Sequence, residues 1–148
     1  MSNRRDGRNL AHVLLVDDNP GDTRLLTEAL RNRRIRSQIH IVGNAREALD
    51  FLRRQGAHAS APRPDLILLD LNLPGQSGTE LLAEVKGDAE LRHIPVVVLT
   101  ASTNVADVRR SYDLHANCYI TKPLKLEDFL RVVWGVEEFW LNVATLVP

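Results

Sequence analysis

A single cysteine, Cys118, occurs in the 148 residues, so no disulfide can close within the chain. Apolar runs approaching the roughly 20 residues that span a bilayer are also missing. The opening stretch "MSNRRDGRNLAHVLLV" has no apolar core long enough for a secretory leader. These absences predict a soluble, cytoplasmic protein without a membrane partner. Excess charge of one sign is lacking too: nineteen basic side chains balance nineteen acidic ones. With no global field to attract a polyanion, no nucleic-acid partner is expected. The first turn carries no G-x-G-x-x-G, which counts against a dinucleotide-binding domain. A chain of this length fits one domain burying roughly two-thirds of its unfolded surface. Residues 1–9 read as a flexible basic tail and residues 10–148 as that single domain.

Five short apolar runs are present: "AHVLLV" (11–16), "SQIHIV" (37–42), "DLILL" (65–69), "PVVVL" (95–99) and "NCYI" (117–120). Continuous apolar character, rather than alternation, suits strands covered on both faces. Helical periodicity falls between them, over 20–34, 44–54, 78–86, 103–112 and 126 to about 145. Five βα units predict an α/β fold, a doubly wound parallel sheet of order 2-1-3-4-5. Asn44 followed by Glu47 reads as a capping box opening the second helix. The basic run "RNRRIR" (31–36) is expected to end the first helix, where cations suit the helix dipole.

In that strand order the carboxyl ends of strands one, three, four and five are neighbours. They carry Asp17 and Asp18, then Asp70, then Thr100, and just beyond the last strand Lys122. Each alone also fits a plainer role: helix capping, a turn, a strand-end hydroxyl, a solvated lysine. Together they describe one crevice. Three carboxylates there repel each other, and a divalent cation relieves the repulsion; hard oxygen ligands with room for water suit Mg2+. An ammonium and a hydroxyl opposite the cation are the donors a phosphoryl group needs. The site therefore reads as a phosphoryl-accepting carboxylate.

The stretches "LLVDDNP", "DLILLDLNLPGQSG", "IPVVVLTAS" and "NCYITKP" resemble the receiver domains of two-component response regulators, from about residue 12 to 140. The resemblance implies the flavodoxin-like (βα)5 receiver fold and a role for each residue. Asp70 would be the phosphoacceptor, Asp17 and Asp18 the acidic pair for Mg2+, and Asn72 a backbone-carbonyl ligand. Thr100 and Lys122 would bind phosphoryl oxygens, and Tyr119 would be the switch aromatic that turns inward as Thr100 moves. The Lys122–Pro123 bond stands where the family often has a cis peptide. Phosphoryl transfer from a histidine kinase would alter the surface of helix four, strand five and helix five. The protein would be a phosphoacceptor rather than an enzyme, catalysing only its own phosphotransfer and dephosphorylation, with no DNA-binding output domain.

On a helical wheel at 100° per residue, Leu126, Phe129, Leu130, Val133 and Trp140 share one face of the last helix. Val132, Val136, Phe139 and Val143 flank it, and the arc is roughly 200° wide where roughly 100° covers a sheet. The surplus predicts a homodimer interface of Val132, Val136, Phe139, Trp140 and Val143. The ending "VEEFWLNVATLVP", with "RPDLILLDLNLPG" and "SYDLHANCYITKP", is similar to stand-alone regulators paired with bacterial phytochrome kinases, which implies a red/far-red light pathway. Two alternatives stay open: a phosphorylation-independent dimeric scaffold, and a haloacid dehalogenase-type phosphohydrolase, whose DxD spacing "VDDNPG" lacks.

Overall fold

The structure is a computed structural model and describes residues 10–31 and 33–148. The expected N-terminal tail, 1–9, lies outside the described residues. Five strands, β1 (Ala11–Val16), β2 (Ser37–Val42), β3 (Leu66–Leu69), β4 (Val96–Thr100) and β5 (Cys118–Thr121), form one sheet in the order β2-β1-β3-β4-β5. All neighbours are parallel. The expected topology holds, because each strand is followed by a crossover helix: α1 (Pro20–Ala29), α2 (Ala45–Arg53), α3 (Gly78–Gly87), α4 (Val105–Asp113) and α5 (Leu126–Glu138). Side-chain alternation along the central strands divides the core into two layers. Leu14, Val16, Ile67, Leu69, Val96 and Val98 face one way. Val13, Leu15, Leu66, Leu68, Val97 and Leu99 face the other, packed with Phe129 and Val133 of α5. Every residue of β3 is buried, as its unbroken apolar sequence requires.

Local chemistry sets the helix ends. Asn44 accepts the Glu47 N–H at 2.8 Å, but the Glu47 carboxylate takes the N–H of Gly43 rather than that of Asn44, a capping box displaced by one residue. Ser77 and Glu80 form the reciprocal box at the start of α3.

Three expectations need correction. The first helix stops at Ala29, five residues early, so the basic run lies in the α1–β2 connection and not in a last helical turn. A better arrangement draws it away: Arg33 donates to the buried Glu137 at 2.9 Å and lies over the Trp134 ring at 5.0 Å, while the Trp134 indole donates to the Ala29 carbonyl at 2.8 Å. The last helix is α-helical only to Glu138 and then widens into a π-helical turn, Phe139–Val143, closed by Ala144 N–H to Phe139 O at 2.7 Å. The wider turn rotates the side chains away from the 100° wheel, so that Leu141 is buried and Trp140 only half so. Finally, no cis peptide occurs among the described residues, and Lys122–Pro123 is trans, the isomer favoured for X–Pro bonds.

Candidate functional site

The carboxyl end of the sheet gathers polar residues at the edge of two apolar layers. Asp70 directly follows β3, fixed by its N–H to Val16 O at 2.9 Å, and is 7 % exposed. Its Oδ1 accepts from the Thr100 hydroxyl at 2.8 Å and from the Asn72 N–H at 3.0 Å, and its Oδ2 accepts from Lys122 Nζ at 2.9 Å. Thr100 ends β4, the neighbour of β3, and is fully buried. Lys122 is aimed from the far side of β4, its own N–H bonded to Thr100 O at 2.7 Å. The backbone beneath is equally constrained: a Cβ on Gly78 would come within 2.6 Å of the Asp70 carbonyl oxygen. Only glycine lets α3 begin that close to the Asp70 backbone.

Lys122 is the hub. Its ammonium donates to Asp17 at 3.0 Å, Asp22 at 2.7 Å and Asp70 at 2.9 Å. Burial opposes its charge, but the bonds to Asp22, Asp70 and Asp17 outweigh burial and push its pKa above the ordinary lysine value. Asp17 is buried, and desolvation raises its pKa, opposed by the Asn19 N–H and by Lys122. Asp18 is exposed, on the solvent side of the same loop.

Of the residues picked out along the sequence, the structure brings Asp17, Asp70, Thr100 and Lys122 into contact and leaves Asp18 at the rim. Asn72 sits beside Asp70 through its N–H. Asp22 escaped the sequence reading although "DDNPGD" contains it. The missed signal is the cap: Asn19 accepts the Asp22 N–H at 3.1 Å, which seats residue 22 in the first turn of α1, beside the strand end.

Among the described residues no three acidic, histidine or cysteine side chains form a ready metal cage. The donor set still fits a hard cation of small protein demand. Two buried carboxylates, Asp17 and Asp70, already share one positive group, the Lys122 ammonium, and Mg2+ takes few protein ligands and keeps several waters.

Tyr119 faces the core layer beneath α4, with its phenol donating to Ser102 O at 2.9 Å. Its N–H, on the open edge of β5, is taken up by the Tyr112 hydroxyl at 3.0 Å. The residues picked out for an interface divide. Val132, Val136, Phe139 and Trp140 line, with Cys118 and Ile120, an apolar groove of about 540 Å³ between α5 and β5. Val143 lies outside that lining and is 62 % exposed.

Comparison with known proteins gives the same outline. The family described as response regulator receiver domain matches residues 13–133. The response regulator Rcp1 of Synechocystis sp. is 48 % identical over 134 residues, covering 90 % of this chain and 91 % of Rcp1. A crystal structure of the phosphorylated cyanobacterial phytochrome response regulator RcpA is 50 % identical with a TM-score of 0.91, covering 95 % of this chain and 100 % of that one. A crystal structure of the Mn2+-bound form of Rcp1 is 47 % identical with a TM-score of 0.89, over 93 % of this chain and 99 % of that one.

Proposed function

From the premise that this chain belongs to the response regulator receiver family, we propose that Asp70 accepts a phosphoryl group from the phosphohistidine of a sensor kinase. The observation that carries this reading is the bonding of Asp70. Its two oxygens accept three hydrogen bonds, from Thr100, Asn72 and Lys122, so the orientation of the carboxylate is fixed before any donor arrives. In the transfer a carboxylate oxygen attacks phosphorus, an O–P bond forms, and the N–P bond breaks with its electron pair leaving on the imidazole. Lys122 and the Thr100 hydroxyl then hydrogen-bond to the phosphoryl oxygens, neutralising charge that spreads over them. A later attack by water returns the carboxylate and releases phosphate.

Asp17, Asp18, Asp70 and the Asn72 backbone carbonyl would hold Mg2+, which would supply charge neutralisation at the same phosphoryl oxygens. The nature of Rcp1, bound to Mn2+, supports a divalent ion in relatives of this kind. Thr100 is the link to the surface. Drawing its hydroxyl from Asp70 to a phosphoryl oxygen shifts the β4–α4 connection, to which Tyr119 is tied through Ser102 O. The face formed by α4, β5 and α5 is then the reporting surface.

The likeness to RcpA, a phytochrome response regulator, supports a phytochrome-type kinase as the donor. The apolar groove of Val132, Val136, Phe139 and Trp140 supports a homodimer, since a second copy would cover apolar surface that the single chain leaves open. A cytoplasmic location agrees with the chain having no helix, among the described residues, long and apolar enough to cross a membrane.

The test is transfer from a phosphorylated phytochrome-type histidine kinase. Label should move to the wild-type chain and not to Asp70→Asn, and light that changes kinase phosphorylation should change the label in step. Label that persists on Asp70→Asn would contradict the assignment. Ultracentrifugation of Val136→Glu, expected to be monomeric where the wild type is dimeric, tests the groove.

A further inference from the structure

Two histidines interrupt the apolar pattern of adjacent strands, His12 in "AHVLLV" and His40 in "SQIHIV". In register His12 lies opposite Gln38 and His40 opposite Leu14, so the two are diagonal neighbours. Alternation puts both on the sheet face of Leu14, Val16 and Val42. There the rings meet nitrogen to nitrogen, with His12 Nδ1 3.1 Å from His40 Nε2 and the ring centroids 5.3 Å apart. Two bare lone pairs cannot face each other at that distance; a proton or a metal ion has to lie between them. Each histidine is also fixed from behind. The His12 N–H donates to Asp65 Oδ2 at 2.8 Å, and the His40 ring packs on Phe51 with centroids 5.1 Å apart. Both residues are half-buried, which leaves the pair within reach of solvent.

The spacing suits a borderline-soft divalent ion. With metal–nitrogen bonds of about 2.0–2.1 Å, a tetrahedral ion holds two ligating nitrogens about 3.3 Å apart and a square-planar one about 2.9 Å. The observed 3.1 Å falls between the two. We propose that His12 Nδ1 and His40 Nε2 form a metal seat between β1 and β2 for a borderline-soft divalent cation, Zn2+ or Cu2+, with water completing the coordination. On binding, the proton between the rings moves to the outward nitrogen of the ring that carried it, so both imidazoles stay neutral and no proton is released. Nitrogen donors separate this seat in kind from the carboxylates at the strand ends, which suit Mg2+. It stands or falls independently of the chemistry at Asp70. His58 is not a third ligand: it bonds to Glu47 at 3.3 Å and its ring lies against Phe51.

Calorimetric titration of the untagged chain with Zn2+, in excess Mg2+ to fill hard-oxygen sites, tests the seat. One Zn2+ per chain is expected for the wild type and for His58→Gln. His12→Gln and His40→Gln should each weaken binding by more than about tenfold, the least that loss of even an outer-sphere partner costs a metal site. No Zn2+ binding would show a pair that shares a proton only and would overturn the inference. So would binding that survives either replacement, or an equal loss in His58→Gln. Thermal unfolding identifies any variant that fails to fold, and electron paramagnetic resonance of the wild type with one equivalent of Cu2+ then decides without a variant. Two imidazole nitrogens are expected in its hyperfine pattern, and coordination by one nitrogen or by oxygen alone would overturn the seat.

Discussion

The two ends of the sheet each hold a lysine with three hydrogen bonds, and the two differ in what accepts those bonds. At the carboxyl end Lys122 faces three carboxylates. At the amino end Lys86, near the end of α3, donates to the carbonyls of Arg92 and Ile94 and to Asn117 Oδ1, each at 2.9 Å. The donor count is the same and the acceptor charge differs. Burial draws Lys86 down to about 8, whereas the carboxylates outweigh burial at Lys122 and hold it above the ordinary value. Neutral acceptors make a staple that ties α3 to the starts of β4 and β5. Charged acceptors gather three carboxylates around one ammonium, the arrangement the proposed phosphoryl site calls for. Burial and bond count therefore do not separate the two lysines; the charge of their partners does.

Swapping the lysines out one at a time should give the largest contrast. Lys122→Met should slow labelling by acetyl phosphate by about a hundredfold, while Lys86→Met leaves the rate within about twofold, both followed by intact mass against time. Gly78→Ala should strain the carboxyl end alone. With Asp70 O only 2.6 Å from the added methyl, α3 has to shift, and urea unfolding should show a loss of about 1–3 kcal/mol.

Lys86→Met should remove three hydrogen bonds from the amino end and cost about 1–2 kcal/mol in the same assay. Its pH signature has a definite sign. The folded chain releases this proton at about 8 and the unfolded chain near the ordinary 10.5, so between those values the unfolded state binds more protons and stability rises with pH. The rise should be present in the wild type and absent in Lys86→Met. For Lys122 the sign is opposite: its contribution is present below the ordinary lysine pKa and is lost only as pH climbs through a higher one.

The smallest expected effect concerns the basic connection after α1. Arg31→Glu with Arg34→Glu should slow transfer from the kinase by about threefold, the scale of two solvent-exposed charges, and leave acetyl phosphate labelling unchanged. Arg33 is left intact in that variant because it pairs with buried Glu137. Equal loss with both donors would remove any role of this segment in kinase docking.

Much of the fold was legible because the strands are short, largely apolar segments set between helical stretches, and β1 and β2 begin and end where those segments do. The convergence of Asp17, Asp70, Thr100 and Lys122 followed from strand order alone, since a doubly wound sheet puts its strand ends in one crevice. What stayed hidden depends on contacts between distant segments. The early stop of α1 answers to Glu137 and Trp134, more than a hundred residues away. Glu137 itself lies in the centre of the apolar face of α5, a place where a carboxylate is not expected without knowing its arginine. The π-helical turn carries no mark in "FWLNV", so a wheel at constant pitch put Trp140 where Leu141 belongs. Asp22 was visible but unweighted, because its meaning lies in a lysine a hundred residues on.

The central claim, that the carboxyl end is a phosphoryl acceptor centred on Asp70, is tested most directly by intact mass after incubation with acetyl phosphate, with and without Mg2+, for the wild type and Asp70→Asn. One phosphate adduct is expected on the wild type, dependent on Mg2+ and absent from Asp70→Asn. No adduct under either condition, or an adduct that survives in Asp70→Asn, would contradict it.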